Sequence, residues 1–145
     1  MSNKVLLTGI SGWIAKHTAI ELLNCGYEVL GTVRNKNLIE QTKETISKYA
    51  SIDKLSFVEL DLVKDDGWDE AAKGCKYIFH IASPFPMKVS RNRESLLPPA
   101  VDGTLRVLKA GVNAGVEQII KTSSIVAMFR NCLLYTSPSP RDSDQ

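Results

Sequence analysis

Up to Phe129 the chain alternates between short apolar runs and stretches of helical periodicity. The runs are KVLLT (Lys4–Thr8), YEVLGTV (Tyr27–Val33), KLSFVEL (Lys54–Leu60), KYIFHIA (Lys76–Ala82) and EQIIKTS (Glu117–Ser123), rich in β-branched and aromatic residues. Each reads as a buried strand. Helices are predicted over Trp13–Cys25, Lys36–Tyr49, Trp68–Lys73 and Arg93–Ala114. In the first, Ile14, Ala15, Thr18, Ala19, Leu22 and Leu23 share a face, and Gly26 supplies a stop. In the last, Pro98 and Pro99 suit a first turn. Strands that are apolar almost throughout must be covered on both faces, which a parallel sheet with helical crossovers achieves. Right-handed crossovers then wind the chain into an α/β, doubly wound parallel sheet, expected to be truncated after its fifth strand.

A length of 145 residues leaves room for one domain with its own core. With 43% hydrophobic and 23% charged residues the composition is that of an ordinary globular chain. A formal net charge of +2 is too small to argue for nucleic acid or an anionic membrane surface as a partner, and neither is expected. The apolar run in MSNKVLLTGI is too short for a signal-peptide core or a membrane span, so a cytoplasmic location is expected. Cys25, Cys75 and Cys132 form no CxxC pair and have no histidines at metal-ligand spacing. They read as reduced thiols, with no metal site.

Between the first strand and the first helix stands TGISGWIA, with Gly9, Gly12 and Ala15 spaced GxxGxxA. Glycine permits a tight turn and a close backbone approach, while the first amides of the helix face outward with its positive dipole end. Such a turn suits a pyrophosphate, which makes Gly9, Ile10, Ser11, Gly12, Trp13 and Ile14 candidate cofactor contacts. The spacing departs from GxGxxG, so the weight rests on its place at the first strand–helix junction. The alternative is a turn that merely connects two elements. At the end of the second strand, where an NAD site wants a carboxylate for the ribose 2′-hydroxyl, the chain carries Arg34. A guanidinium suits a 2′-phosphate, pointing to NADP(H), unless Arg34 is only a solvated loop cation.

These residues, with DL (Asp61, Leu62) after the third strand, HIASP (His80–Pro84) after the fourth and TSS (Thr122–Ser124) after the fifth, appear in the order of a known family. From Asn3 to Phe129 the chain resembles the extended short-chain dehydrogenase/reductases, which have a Rossmann fold. The likeness is to the branch holding dihydroflavonol reductases, cinnamoyl-CoA reductases and NADPH-dependent aldehyde and ketone reductases. The resemblance implies that Asp61 meets the adenine amino group with Leu62 beside it. It implies that Ile81, Ala82 and Ser83 line the ribose and nicotinamide side, next to Thr122 and Ser123. Ser124 would hydrogen-bond the carbonyl of a small-molecule substrate. Read without the family, Asp61 could be a turn residue and Ser123 and Ser124 strand-end hydroxyls. His80, inside an apolar strand, reads as a packed and satisfied imidazole rather than a proton donor.

The family's proton donor is a tyrosine in a YxxxK pair on the next long helix, its pKa lowered by the lysine. After Ser124 the next tyrosine is Tyr135, with Ser139 where the lysine belongs, and Pro138 and Pro140 oppose a helix there. CLLYTSPSPRD (Cys132–Asp142) is also similar to a translated sequencing-library adapter. Residues 1–131 are therefore expected to be the N-terminal part of an NADP-binding domain, and 132–145 a non-native, disordered tail, leaving a chain without reductase activity and of marginal stability. Two further readings stay open: an epimerase, dehydratase or hydroxysteroid dehydrogenase of the same extended family, and a non-catalytic dinucleotide sensor. TSS argues against the sensor, which has no use for a serine after the fifth strand. Substrate identity, stereochemistry and oligomeric state carry no signature in the sequence.

Overall fold

The computed structural model describes residues 3–84 and 97–125. Five strands form one parallel sheet: β1 (Lys4–Thr8), β2 (Glu28–Val33), β3 (Leu55–Glu59), β4 (Tyr77–His80) and β5 (Gln118–Lys121), in the order β3-β2-β1-β4-β5. Helices α1 (Trp13–Asn24) and α2 (Ile39–Ser47) connect the first three strands, and α3 (Trp68–Ala72) and α4 (Gly103–Ala114) the rest. From β3 the chain passes over β1 to β4, reversing direction across the sheet. This is the doubly wound Rossmann arrangement expected from the alternation.

Both faces of the sheet are covered, and adjacent residues of one strand serve different layers. Leu6 packs with Trp68, Ala71, Ile78, Val107 and Ala110 on the side of α3 and α4. Leu7 packs with Ile10, Ala15, Ala19, Val29 and Ile46 on the side of α1 and α2. Period-2 alternation between two buried layers is why the strands are apolar throughout. Each fully buried leucine or isoleucine contributes about 1.5–3 kcal/mol, so the central strand anchors the fold from both sides.

The helices depart from the predicted faces and bounds at three places. On α1 the buried residues are Ala15, Ala19 and Ile20, whereas Ile14 is 55% exposed. Small alanines let α1 lie close on the sheet, and Ile14, in its first turn, stands at the rim beside the glycine turn. The α1 stop is as expected: Tyr27 N donates to Leu22 O and Gly26 N to Leu23 O around a left-handed Gly26 (φ +85°). The second helix begins late, because Asn35 Oδ1 accepts from Asn37 N and draws residues Lys36–Leu38 into a 3-10 turn. Before α4, Pro98–Asp102 form a wide π-helical turn, closed by Gly103 N donating to Pro98 O. The two prolines have no N–H for ordinary helical bonds. Residues 93–96 of the predicted fourth helix, and the whole of 126–145, lie outside the described residues.

Candidate functional site

Because all strands are parallel, the loops leaving their carboxyl ends lie along one edge of the sheet, where open α/β sheets bind ligands at the point of reversal. That point is between β1 and β4. Gly9, directly after β1, is left-handed at φ +69°, and its amide donates to Thr32 Oγ1 of β2 at 3.0 Å. A Cβ there would come 3.0 Å from Ala82 Cβ and 3.1 Å from Ala82 Cα, so both the conformation and the space call for glycine. Gly12 N donates back to Gly9 O at 2.9 Å and closes the turn. Gly12 is also the N-cap of α1, without a side-chain cap and with no acidic residue in the first turn. The first-turn amides, which have no intrahelical acceptor, are thus offered outward with the positive end of the helix. This cradle fits an anionic pyrophosphate.

The predicted contacts divide by how they sit. Ile10 contributes backbone only: its side chain is fully buried over Gly31, and its amide donates to Thr32 O at 3.0 Å. Ser11 is half-buried and Trp13 and Ile14 are exposed at the mouth of the turn, with the Trp13 ring edge-on to His17 at 4.8 Å between centroids. Arg34 is exposed after β2, its guanidinium in no ion pair among the described residues. Asp61 and Leu62 are half-buried after β3. Asp61 Oδ1 accepts from Val63 N at 3.1 Å, so the carboxylate shapes its own turn whatever else it binds. Trp68 Nε1 donates to Asp61 O, Arg106 Nη1 to Leu62 O, and Gly103 leaves room for the Leu62 side chain.

After β4, Ile81 and Ala82 are half-buried and Ser83 is exposed. Thr122, Ser123 and Ser124 follow β5 and are exposed, with Thr122 N donating to His80 O at 3.2 Å to extend the pairing of β4 and β5. The structure therefore joins the glycine turn directly to Ala82 and the Thr122 loop to the end of β4. Arg34 and Asp61 share the edge, each after a strand farther out.

Sequence reasoning missed the threonines that hold these loops. Thr8 Oγ1 accepts from the amides of Ile81 and Ala82, each at 3.0 Å, and Thr32 Oγ1 holds Gly9. Both threonines are buried, and the signal was available: a hydroxyl at the end of an otherwise apolar strand needs a partner. His80, 2% exposed, lies opposite Thr8 in the β1–β4 register. Burial, reinforced by the charge of Lys121, lowers its pKa to about 4, so the imidazole is neutral.

A parallel sheet with a left-handed glycine turn, an open helix start and a cation after β2 defines an α/β protein of dinucleotide-binding architecture. The chain belongs to the 3-beta hydroxysteroid dehydrogenase/isomerase family, whose model matches residues 6–136. It is 36% identical over 122 residues to tetraketide alpha-pyrone reductase 1 of Arabidopsis thaliana, covering 83% of this chain and 37% of that protein. It is 34% identical over 121 residues to dihydroflavonol 4-reductase of Hordeum vulgare, covering 83% of this chain and 34% of the other. Among solved structures it resembles yeast methylglyoxal/isovaleraldehyde reductase Gre2 complexed with NADPH, with a TM-score of 0.74 and 30% identity over 86% of this chain and 38% of that one. These are reductases of the extended short-chain branch that the five motifs resemble. The chain spans little more than a third of their length. No helix among the described residues is long and apolar enough to cross a membrane.

Proposed function

We propose that this chain is the cofactor-binding part of an NADP(H)-dependent oxidoreductase that reduces an aldehyde or ketone, acting on CH–OH in the reverse direction. The observation that carries the reading is the open glycine turn at the start of α1, set against Ala82 and flanked by a cation at the end of β2. In the turn that Gly9, Ile10 and Gly12 shape through their own hydrogen bonds, the amides of Ser11, Trp13 and Ile14 hold the pyrophosphate, and Arg34 meets the 2′-phosphate. Asp61 and Leu62 receive the adenine, and Ile81, Ala82 and Ser83 border the nicotinamide ribose beside Thr122 and Ser123. When bound, the nicotinamide supplies a hydride to the carbonyl carbon. Ser124 orients the carbonyl oxygen by hydrogen bonding. The reductases among its relatives and the NADPH held by yeast Gre2 support this assignment. The family's description supports a second reading, oxidation of a hydroxysteroid at the same site. The two share every residue named above.

Arg34 makes the cofactor assignment testable. Titrated against the chain and its Arg34→Asp variant, NADPH is expected to lose about 10–100-fold in affinity, from a missing charge-assisted contact and a new repulsion. NADH should change by no more than about threefold, since it carries no 2′-phosphate. Equal losses for both nucleotides would remove the 2′-phosphate role.

A further inference from the structure

β1, β4 and the first turn of α4 converge on His80, and every hydrogen bond around it has a forced direction. Thr8 Oγ1 already accepts two backbone amides, so its own proton goes to His80 Nδ1, 2.8 Å away. Nδ1 is then an acceptor and Nε2 carries the ring proton. Nε2 faces Thr104 Oγ1 of α4 at 3.4 Å, and Thr104 in turn donates to Ala100 O at 2.7 Å. One directed chain of donors therefore runs from the amides of Ile81 and Ala82, through Thr8, the imidazole and Thr104, to Ala100 O in the π-helical turn before α4.

An apolar side chain would fill the same volume, so packing does not explain the choice. Among neutral side chains, imidazole alone is a rigid ring with one acceptor and one donor nitrogen. Here the two nitrogens serve different elements. The loop after β4, where this chain of bonds starts, tolerates little displacement, because a Cβ on Gly9 would stand only 3.0 Å from Ala82 Cβ.

We propose that His80 is a positioning residue for the dinucleotide site: as the Nε2–H tautomer it ties the first turn of α4 to the loop after β4, and so sets where Ile81 and Ala82 stand against Gly9. The assignment rests on the dinucleotide reading above. It gives α4, which supplies none of the proposed cofactor contacts, a role in cofactor affinity.

The test uses the 145-residue chain, NADPH and three variants. In the free chain, ¹⁵N shifts should report a single His80 tautomer with the proton on Nε2. His80→Leu should speed amide exchange at Ile81 and Ala82 about tenfold and weaken NADPH about tenfold, from loss of one satisfied buried hydrogen-bond chain. Thr104→Val, which removes only the distal bond, should keep the Nε2–H tautomer set by Thr8 but speed exchange at Ile81 and Ala82 and weaken NADPH about threefold, while Thr104→Ser restores exchange and affinity. If His80→Leu does not fold, the Thr104 pair decides alone. Unchanged exchange and affinity in Thr104→Val, with lowered thermal stability only, would make His80 a filler and overturn the assignment. Failure of the unsubstituted chain to saturate with NADPH would overturn the dinucleotide reading, and this assignment with it.

Discussion

At the scale of single residues, a buried histidine couples this fold to pH. His80 titrates near 4 in the folded chain, lowered chiefly by burial, against an ordinary value of 6.5. Above the ordinary value both folded and unfolded chains hold it neutral. Below it the unfolded chain takes up a proton that the folded chain refuses, so stability falls as pH drops from 6.5 towards 4. At roughly 1.4 kcal/mol per pH unit the loss is on the order of 3 kcal/mol. Urea unfolding of the chain and of His80→Asn across this window isolates the effect, because the other titrating groups are common to both. The unsubstituted chain should lose more stability on acidification than the variant. Parallel curves would mean that His80 is accessible to protons in the folded state.

At the scale of elements, the glycine turn is fastened to the sheet by its one apolar residue. Ile10 lies over Gly31 of β2 so closely that a Cβ there would meet Ile10 Cδ1 at 2.4 Å and Cγ2 at 2.7 Å. Gly31→Ala should therefore cost about 1–3 kcal/mol as overpacking and displace the turn, weakening NADPH along with stability. Adding Ile10→Val removes the nearest clashing atom, so the double variant should recover part of both losses. Additive losses in a thermal-melt and NADPH-titration cycle would break the proposed link between turn and strand. This pairing also marks where sequence reading stopped. The strands and the glycine turn were legible because burial on both faces and a left-handed turn each leave a local pattern. The partners of Ile10, Thr8 and His80 were not, because they depend on which strands become neighbours. Thr8 and His80 are far apart in the chain and meet only because β4 pairs with β1 in that register. Arg34 and Ser124 were legible as residue types in a motif, whereas the supports from Trp68, Arg106 and Thr104 come from helices packed behind the edge.

At the scale of the whole molecule, the question is whether the edge that cradles a cofactor can also deliver a proton. Hydride addition to a carbonyl leaves an alkoxide, and a donor must stand at the same edge. Among the described residues the tyrosines do not. Tyr27 precedes β2 and Tyr77 opens β4, so both lie at the amino edge, where their rings meet at 6.2 Å. Tyr49 follows α2, exposed and away from the loops after the strands. His80 is near enough, but both ring nitrogens are engaged and its proton is directed into α4 rather than towards the cleft. Ser124 can orient an oxygen, yet an aliphatic hydroxyl is by itself too weak an acid to supply the proton. With the described residues as its only proton sources, the edge should bind NADPH without oxidising it when aldehydes or ketones are added, even at stoichiometric enzyme over hours. Steady carbonyl-dependent NADPH oxidation by the purified chain, abolished by Ser124→Ala, would show that a proton reaches the edge by a route these residues do not provide.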